Sequence, residues 1–175
     1  MSYQRIMIFG LPGSGKSTFA VQLAHQLKLP LHHLDKHFFM ENWVERDKEA
    51  FLNIQRDLVN QERWIIDGNA IRSLEMRYSR ADLILYFCFS RPLCLGRLIK
   101  RRFFKKRSIQ DKAEGCWERL PSHLVKYMWT FDQRVRPLLE HLQKTYPQTA
   151  FYKIRSAQDL KEVLKLFPNF NNHHD

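Results

Sequence analysis

The sequence predicts an α/β fold built on a parallel sheet of five strands with helices on both faces, and three observations lead there. Residues Gly10-Leu11-Pro12-Gly13-Ser14-Gly15-Lys16-Ser17-Thr18 fit the pattern Gly-x4-Gly-Lys-Ser/Thr, with a short apolar run before them and a helical stripe after them. Short apolar runs alternate with amphipathic segments along the rest of the chain, the signature of parallel strands joined by crossover helices. Leu83-Ile84-Leu85-Tyr86-Phe87-Cys88-Phe89 is apolar throughout, as a central strand buried on both faces must be, and reads as the longest strand.

Arg5-Ile6-Met7-Ile8-Phe9 is the first strand, and Phe19, Ala20, Leu23, Ala24 and Leu27 give the next helix its buried stripe. Pro30 stops that helix because it has no N–H to continue the ladder. Leu31-His32-His33-Leu34 is a short second strand closed by Asp35, and Asn42-Trp43 and Arg46-Asp47 read as a loop and a helix start. Phe51, Ile54 and Leu58 form one helical face. Trp64-Ile65-Ile66 is a third strand ending in Asp67-Gly68, and Ile71 to Tyr78 is a short helix. A helix from Pro92 runs into the basic stretch Lys100 to Arg107, and Ser108 to Gly115 is a polar connection. The pattern from Leu120 to Leu142 is one long helix that Pro137 should kink or split. Ala150 to Ile154 is the last strand, and Leu160, Val163, Leu164 and Phe167 mark the last helix. No linker divides the chain, so residues 1–168 are expected to form one domain, followed by a polar tail over 169–175.

A length of 175 residues suits a single core, and 44% hydrophobic with 27% charged residues is ordinary for a folded protein. No apolar stretch reaches the roughly 20 residues of a membrane helix, and the start of the chain has no signal-peptide pattern. Cys88, Cys94 and Cys116 show no C-x-x-C spacing, which argues against a zinc ribbon and fits a reducing cytoplasm. Formal charge is +11, and positions 91–110 hold eight basic residues and no acidic one. Such a cluster suits nucleic acid or a polyphosphate substrate, and composition does not choose between them.

The glycine-rich turn carries the chemistry. Glycines let the backbone curl so that its N–H groups converge on an anion, and the helix that follows adds the positive end of its dipole. Lys16 can reach the outer phosphates of a nucleotide, and the Ser17 hydroxyl can ligate Mg²⁺. In such sheets ligands gather beyond the carboxyl ends of the strands. Asp67 follows the third strand directly and is placed to hold Mg²⁺ beside Ser17, whereas Asp82 precedes its strand and reads as structural. Asp35 also closes a strand. It admits two readings, a group that orients or deprotonates an acceptor hydroxyl and a loop or helix-capping aspartate. His32, His33 and His37 fit no named zinc spacing and read as packed or solvated.

Gly10–Thr18, Trp64-Ile65-Ile66-Asp67-Gly68-Asn69 and Arg97-x3-Arg101-Arg102 together resemble the adenylate-kinase-like P-loop kinases. Within that group, Leu31-His32-His33-Leu34-Asp35 with Trp43 downstream, and the segment Asp111 to Glu118 with Gly115-Cys116, are similar to the small bacterial DNA topology modulation proteins. The resemblance implies strand order 2-3-1-4-5 in a three-layer P-loop NTPase fold, with a lid after the fourth strand over about 100–120. It implies an adenine-stacking role for Arg97, a phosphate contact for Arg101, and an adenine-contacting turn at Ser156-Ala157. Asp67-Gly68 matches the Asp-Gly of the adenylate kinase signature, which continues Phe-Pro-Arg where this chain has Asn69-Ala70-Ile71-Arg72. That departure counts against adenosine monophosphate as the acceptor, while Gly68, Arg72 and Arg77 stay candidates for holding a substrate, the arginines through its anion, and Arg134 and Arg136 are candidates for further phosphate contacts.

The function expected is transfer of the γ-phosphoryl group of ATP, with Mg²⁺, to a small acceptor, by a cytoplasmic monomer or homodimer. Lys16, Asp35, Arg101 and Arg134 are the candidate catalytic groups. The alternatives are a nucleotide-dependent DNA-associated regulator gripping phosphates through the basic stretch, and a simple ATPase. The chain contains no recognisable DNA-reading module, which favours the kinase.

Overall fold

Arg5–Gly10 forms β1, whose five residues from Ile6 are all buried. A strand of a parallel sheet with helices packed on both faces has no wet face, and so its sequence is a continuous apolar run. The computed structural model describes residues 3–103 and 122–167. After β1 come α1 (Lys16–Leu27), β2 (Leu31–His33), α2 (Leu34–Phe38), α3 (Lys48–Asn60), β3 (Trp64–Asp67) and α4 (Leu74–Tyr78). Then follow β4 (Leu83–Phe87), α5 (Arg91–Phe103), α6 (Ser122–Thr145), β5 (Ala150–Ile154) and α7 (Ala157–Leu164). The five strands are all parallel, in order β2-β3-β1-β4-β5, with helices on both faces as the sequence predicts.

Register brings the chemistry to one edge. Ile8 pairs with Asp67, His33 pairs with Asp67 from the other side, and Gly10 pairs with Phe87. The carboxyl ends of β2, β3 and β1 thus lie side by side. At the opposite end Asp82 accepts the N–H groups of Gln4 and Arg5 at 3.1 and 2.9 Å, the structural role its place before β4 implied. Between the ends the core is aromatic as well as aliphatic. Phe9 and Tyr86 stack at 4.8 Å across β1 and β4. The Tyr86 hydroxyl donates to Asp132 on α6 at 2.6 Å, which ties that helix to the sheet.

Several boundaries differ from the sequence reading. β4 stops at Phe87, so β1, at six residues, is the longest strand. Leu34 is helical, and Asp35 lies in the first turn of α2 and not at a strand end. α1 ends at Leu27, where Lys28 turns left-handed at φ 53, two residues before Pro30. Ile71 to Tyr78 is a 3-10 turn over Ile71–Ser73 followed by α4. Pro137 lies inside α6 without splitting it. Gln133, whose carbonyl loses its partner there, is exposed, as is Pro137, so water can replace the missing bond. Of the expected lid over about 100–120, residues 100–103 continue α5, and residues 104–121, including Lys105, Lys106, Arg107 and Cys116, lie outside the described residues, as does the tail.

Candidate functional site

The glycine-rich turn joins β1 to α1, and Gly10, Gly13 and Gly15 all have positive φ, at 143, 78 and 92 degrees. Gly15 is the residue before α1, and no side chain caps that helix. The first-turn amides of α1, beginning at Lys16, lack carbonyls one turn back and are left for an anion. Pro12 and Gly13 line the turn, Ser14 is buried within it, and Thr18 is exposed on the first turn of the helix.

Asp67 sits below this turn, only 3% exposed. Its Oδ2 lies 2.9 Å from His33 Nδ1. Its Oδ1 is also buried and has no hydrogen-bond partner among the described residues. Burial pushes the carboxyl up, but Lys16, His33 and the Ser17 hydroxyl outweigh it and hold the group below its ordinary value. An ionised carboxylate oxygen with nothing to accept, beside a hydroxyl and an ammonium group, is a set of hard donors suited to Mg²⁺. The pocket lined by Lys16, Ser17, His33, Asp35, Asp67, Gly68 and Asn69 has a volume of about 20 Å³, room for one ion or water.

The turn after Asp67 is held from below. Arg77 is fully buried, and it donates from Nη1 to the Gly68 carbonyl and from Nη2 to the Ala70 carbonyl, each at 2.9 Å. Burial lowers its guanidinium to about 10, with Asp67 opposing the shift, so it stays charged at neutral pH. With those donors engaged and no exposed surface, Arg77 does not meet a substrate anion directly as the sequence suggested. It fixes the residues on either side of Asn69, whose Oδ1 accepts the Gly10 N–H at 2.9 Å. Asn69 therefore clips the turn after β3 to the first glycine of the phosphate-binding turn.

Asp35 is exposed and lines the same pocket from α2. Tyr127, on α6, hydrogen-bonds Asn69 and feels the charges of Arg134, Asp35 and Arg77; burial foremost pushes its phenol up to about 12. Arg134 lies over the Tyr127 ring at 4.6 Å and donates from Nη2 to its carbonyl at 3.3 Å. Asp35 and Arg134 thus both flank Tyr127. Arg72 is exposed in the 3-10 turn, and its side chain is not among the residues lining the pocket.

On the other flank Arg97 lies over the Phe89 ring at 5.2 Å and donates to the Ser14 carbonyl at 3.2 Å, which places it against the phosphate-binding turn. Arg101 is exposed one turn further along α5. Ser156 caps α7: its hydroxyl accepts the Asp159 N–H at 3.1 Å and Asp159 accepts the Ser156 N–H in return, a complete capping box. Any contact of this turn with a base would fall to backbone groups. Of the expected histidine cluster only His33 reaches the pocket; His32, next along the strand and so on its other face, pairs with Gln61 at 3.3 Å. Cys88 and Cys94 form no disulfide, and burial pushes the Cys88 thiol up to about 11, leaving it unreactive.

Sequence reasoning missed His33, Asn69 and Tyr127. The strand period carried a usable signal for one of them, because residues two apart on β2 share a face, but it could not say which face meets Asp67. Asn69 and Tyr127 act across 59 and 58 residues of chain, and no local pattern encodes that.

No protein-family model and no curated protein sequence matches this chain. Solved structures do. A shikimate kinase from Bacteroides thetaiotaomicron is similar with a TM-score of 0.56 at 15% identity, over 95% of this chain and 99% of that one. A shikimate kinase from Acinetobacter baumannii in complex with shikimate gives 0.53 at 17% identity, over 95% and 94%. An unliganded sugar kinase from Janibacter gives 0.51 at 15% identity, over 97% and 99%. The chain therefore has the fold of the small-molecule P-loop kinases, matched over nearly the full length of each.

Proposed function

We propose that this protein transfers the γ-phosphoryl group of ATP to a hydroxyl of a small acceptor, with Mg²⁺ as cofactor. One observation carries the reading: Asp67 Oδ1 is buried and has no hydrogen-bond partner among the described residues, in a pocket shared with Ser17 and Lys16, at the carboxyl ends of adjacent strands. Asp67 and Ser17 would hold the metal, which neutralises charge on the phosphates when bound. Lys16 and the first-turn amides of α1 bind the phosphate oxygens. Asp35 orients the acceptor hydroxyl and takes its proton as the new oxygen–phosphorus bond forms and the bond to the bridging oxygen of ADP breaks. Arg97 and Phe89 form a flat surface beside the turn on which a base can stack, and Arg101 and Arg134 supply positive charge around the transferred group. The kinases of like fold support a small-molecule acceptor.

The test is a screen of labelled ATP against nucleosides, nucleotides, sugars and small alcohols. Label should move to at least one acceptor, and Lys16→Ala and Asp67→Ala should abolish the transfer. Slow release of inorganic phosphate that ignores every acceptor would refute the kinase and leave an ATPase. No described feature favours DNA as a partner. Of the eight basic residues over positions 91–110 that suggested it, Arg91, Arg97, Lys100, Arg101 and Arg102 belong to α5, and Lys105, Lys106 and Arg107 lie outside the described residues.

A further inference from the structure

β2 and β3 pair so that His33 stands directly opposite Asp67. The two side chains are 7% and 4% exposed, and His33 Nδ1 lies 2.9 Å from Asp67 Oδ2. An ionised carboxylate can only accept, so the hydrogen is on Nδ1 and the histidine donates. That bond engages one oxygen of the carboxylate and fixes its plane against rotation. The other oxygen, Oδ1, is left in a pocket of about 20 Å³ with Lys16 and Ser17, and it has no partner among the described residues.

A bare carboxylate beside an ammonium group has an obvious alternative, which is to swing toward Lys16 and satisfy itself there. The imidazole ring prevents this by holding Oδ2 on the β2 side. Its placement on a strand matters too, because a strand residue pinned by the sheet ladder has little freedom to follow the carboxylate. The arrangement resembles the outer shell of a metal centre, in which a second residue orients the ligand through a hydrogen bond.

We infer that His33 is a positioning residue for the divalent cation, holding Asp67 Oδ2 so that Oδ1 alone is presented beside Ser17. The inference rests on the reading of Asp67 as a metal ligand. It differs from a purely structural pair in one respect: a structural pair contributes to folding and to nucleotide binding whether or not metal is present. A positioning residue acts only when the cation is bound.

The experiment measures Mn²⁺ binding to the ADP complex by the electron paramagnetic resonance signal of free Mn²⁺, and ADP binding in EDTA by calorimetry. The proteins compared are the full chain and its His33→Leu, His33→Asn, His33→Gln and Asp67→Ala variants. His33→Leu should weaken Mn²⁺ binding by about 10- to 100-fold and leave metal-free ADP binding within about twofold of wild type. His33→Asn, whose amide nitrogen falls close to the position of Nδ1, should recover most of the affinity. His33→Gln, whose amide lies one bond further out, should not. Wild-type Mn²⁺ affinity in His33→Leu, or an equal loss with and without metal, would overturn the inference. Should His33→Leu fail to fold, equal Mn²⁺ affinities in the Asn and Gln variants would overturn it instead. Asp67→Ala separates the two levels of argument: if it binds Mn²⁺ as wild type does, the metal reading of Asp67 is wrong and the role of His33 falls with it.

Discussion

Two glycines in the phosphate-binding turn should fail in opposite ways when replaced by alanine. At Gly10 a Cβ would come within 2.0 Å of the Phe87 carbonyl oxygen and 2.7 Å of its carbon, both backbone atoms of the neighbouring central strand. The same oxygen accepts the Leu11 N–H at 2.9 Å, so pushing it away also breaks a bond that anchors the turn. Backbone strain at φ 143 costs about 1–3 kcal/mol, and forcing two packed strands apart costs a further 1–3 or so. A loss of roughly 2–6 kcal/mol lowers the melting temperature by about 5–20 °C for a chain of this size. At Gly15 the φ is also positive, at 92, but a Cβ meets nothing within 4 Å. The cost to the fold is then only the left-handed conformation, about 1–2 kcal/mol. Gly15 is the residue before the uncapped start of α1, where on the proposed reading a phosphate oxygen would sit. Melting curves with and without Mg²⁺ and ATP read both effects, because ligand at a hundred times its Kd stabilises by about 2.7 kcal/mol. Wild type should gain about 5–10 °C on adding nucleotide, Gly15→Ala should melt within a few degrees of wild type but gain almost nothing, and Gly10→Ala should melt low from the start. A Gly10→Ala protein that melts with wild type, or a Gly15→Ala protein with the full nucleotide shift, would refute this account.

Replacing Arg77 with Met should destabilise the protein by about 2–4 kcal/mol in urea titrations, because the buried carbonyl of Gly68 and the half-buried carbonyl of Ala70 each lose a donor. Nucleotide affinity should fall as well, since Asn69 and its bond to the Gly10 N–H depend on that turn. Tyr127 gives a pH dependence: its phenol rises from 10.0 unfolded to about 12 folded, chiefly through burial. The contribution is thus complete below pH 10 and is lost as pH climbs toward 12, so urea midpoints should fall over that window and fall less in Tyr127→Phe.

Much of the fold was legible because its signals are local. β5 runs over Ala150–Ile154 as read, and β1 differs only by Gly10 at its end, since a buried strand flanked by turn residues leaves a continuous apolar run. β4 was read too long because Cys88 and Phe89 are apolar for a different reason. Phe89 packs under Arg97, beyond the last strand pair. Of the two outcomes expected at Pro137 the split does not occur, because the residue lies on the solvent face, where water can replace the missing bond. The site was half legible. The phosphate-binding turn and Asp67 follow from motif and strand polarity, but Arg77 reads from sequence as a contact for a substrate anion. Only its burial, with both η nitrogens on carbonyls, reveals that it supports the turn and does not reach a ligand.

Strand order has a consequence for how such a protein diversifies. β2 is a margin of the sheet, bonded to β3 alone, and the chain from Leu34 to Gln61 hangs from it before returning to β3. The donor side rests instead on β1, enclosed between β3 and β4. Within that segment Leu34, Phe51, Leu58 and Val59 are buried in the core, so on the proposed reading only the stretch between α2 and α3 can be lengthened, shortened or exchanged without disturbing the packing behind the phosphate-binding turn. A duplicated copy of this chain could therefore drift to a new acceptor while inheriting its nucleotide chemistry unaltered.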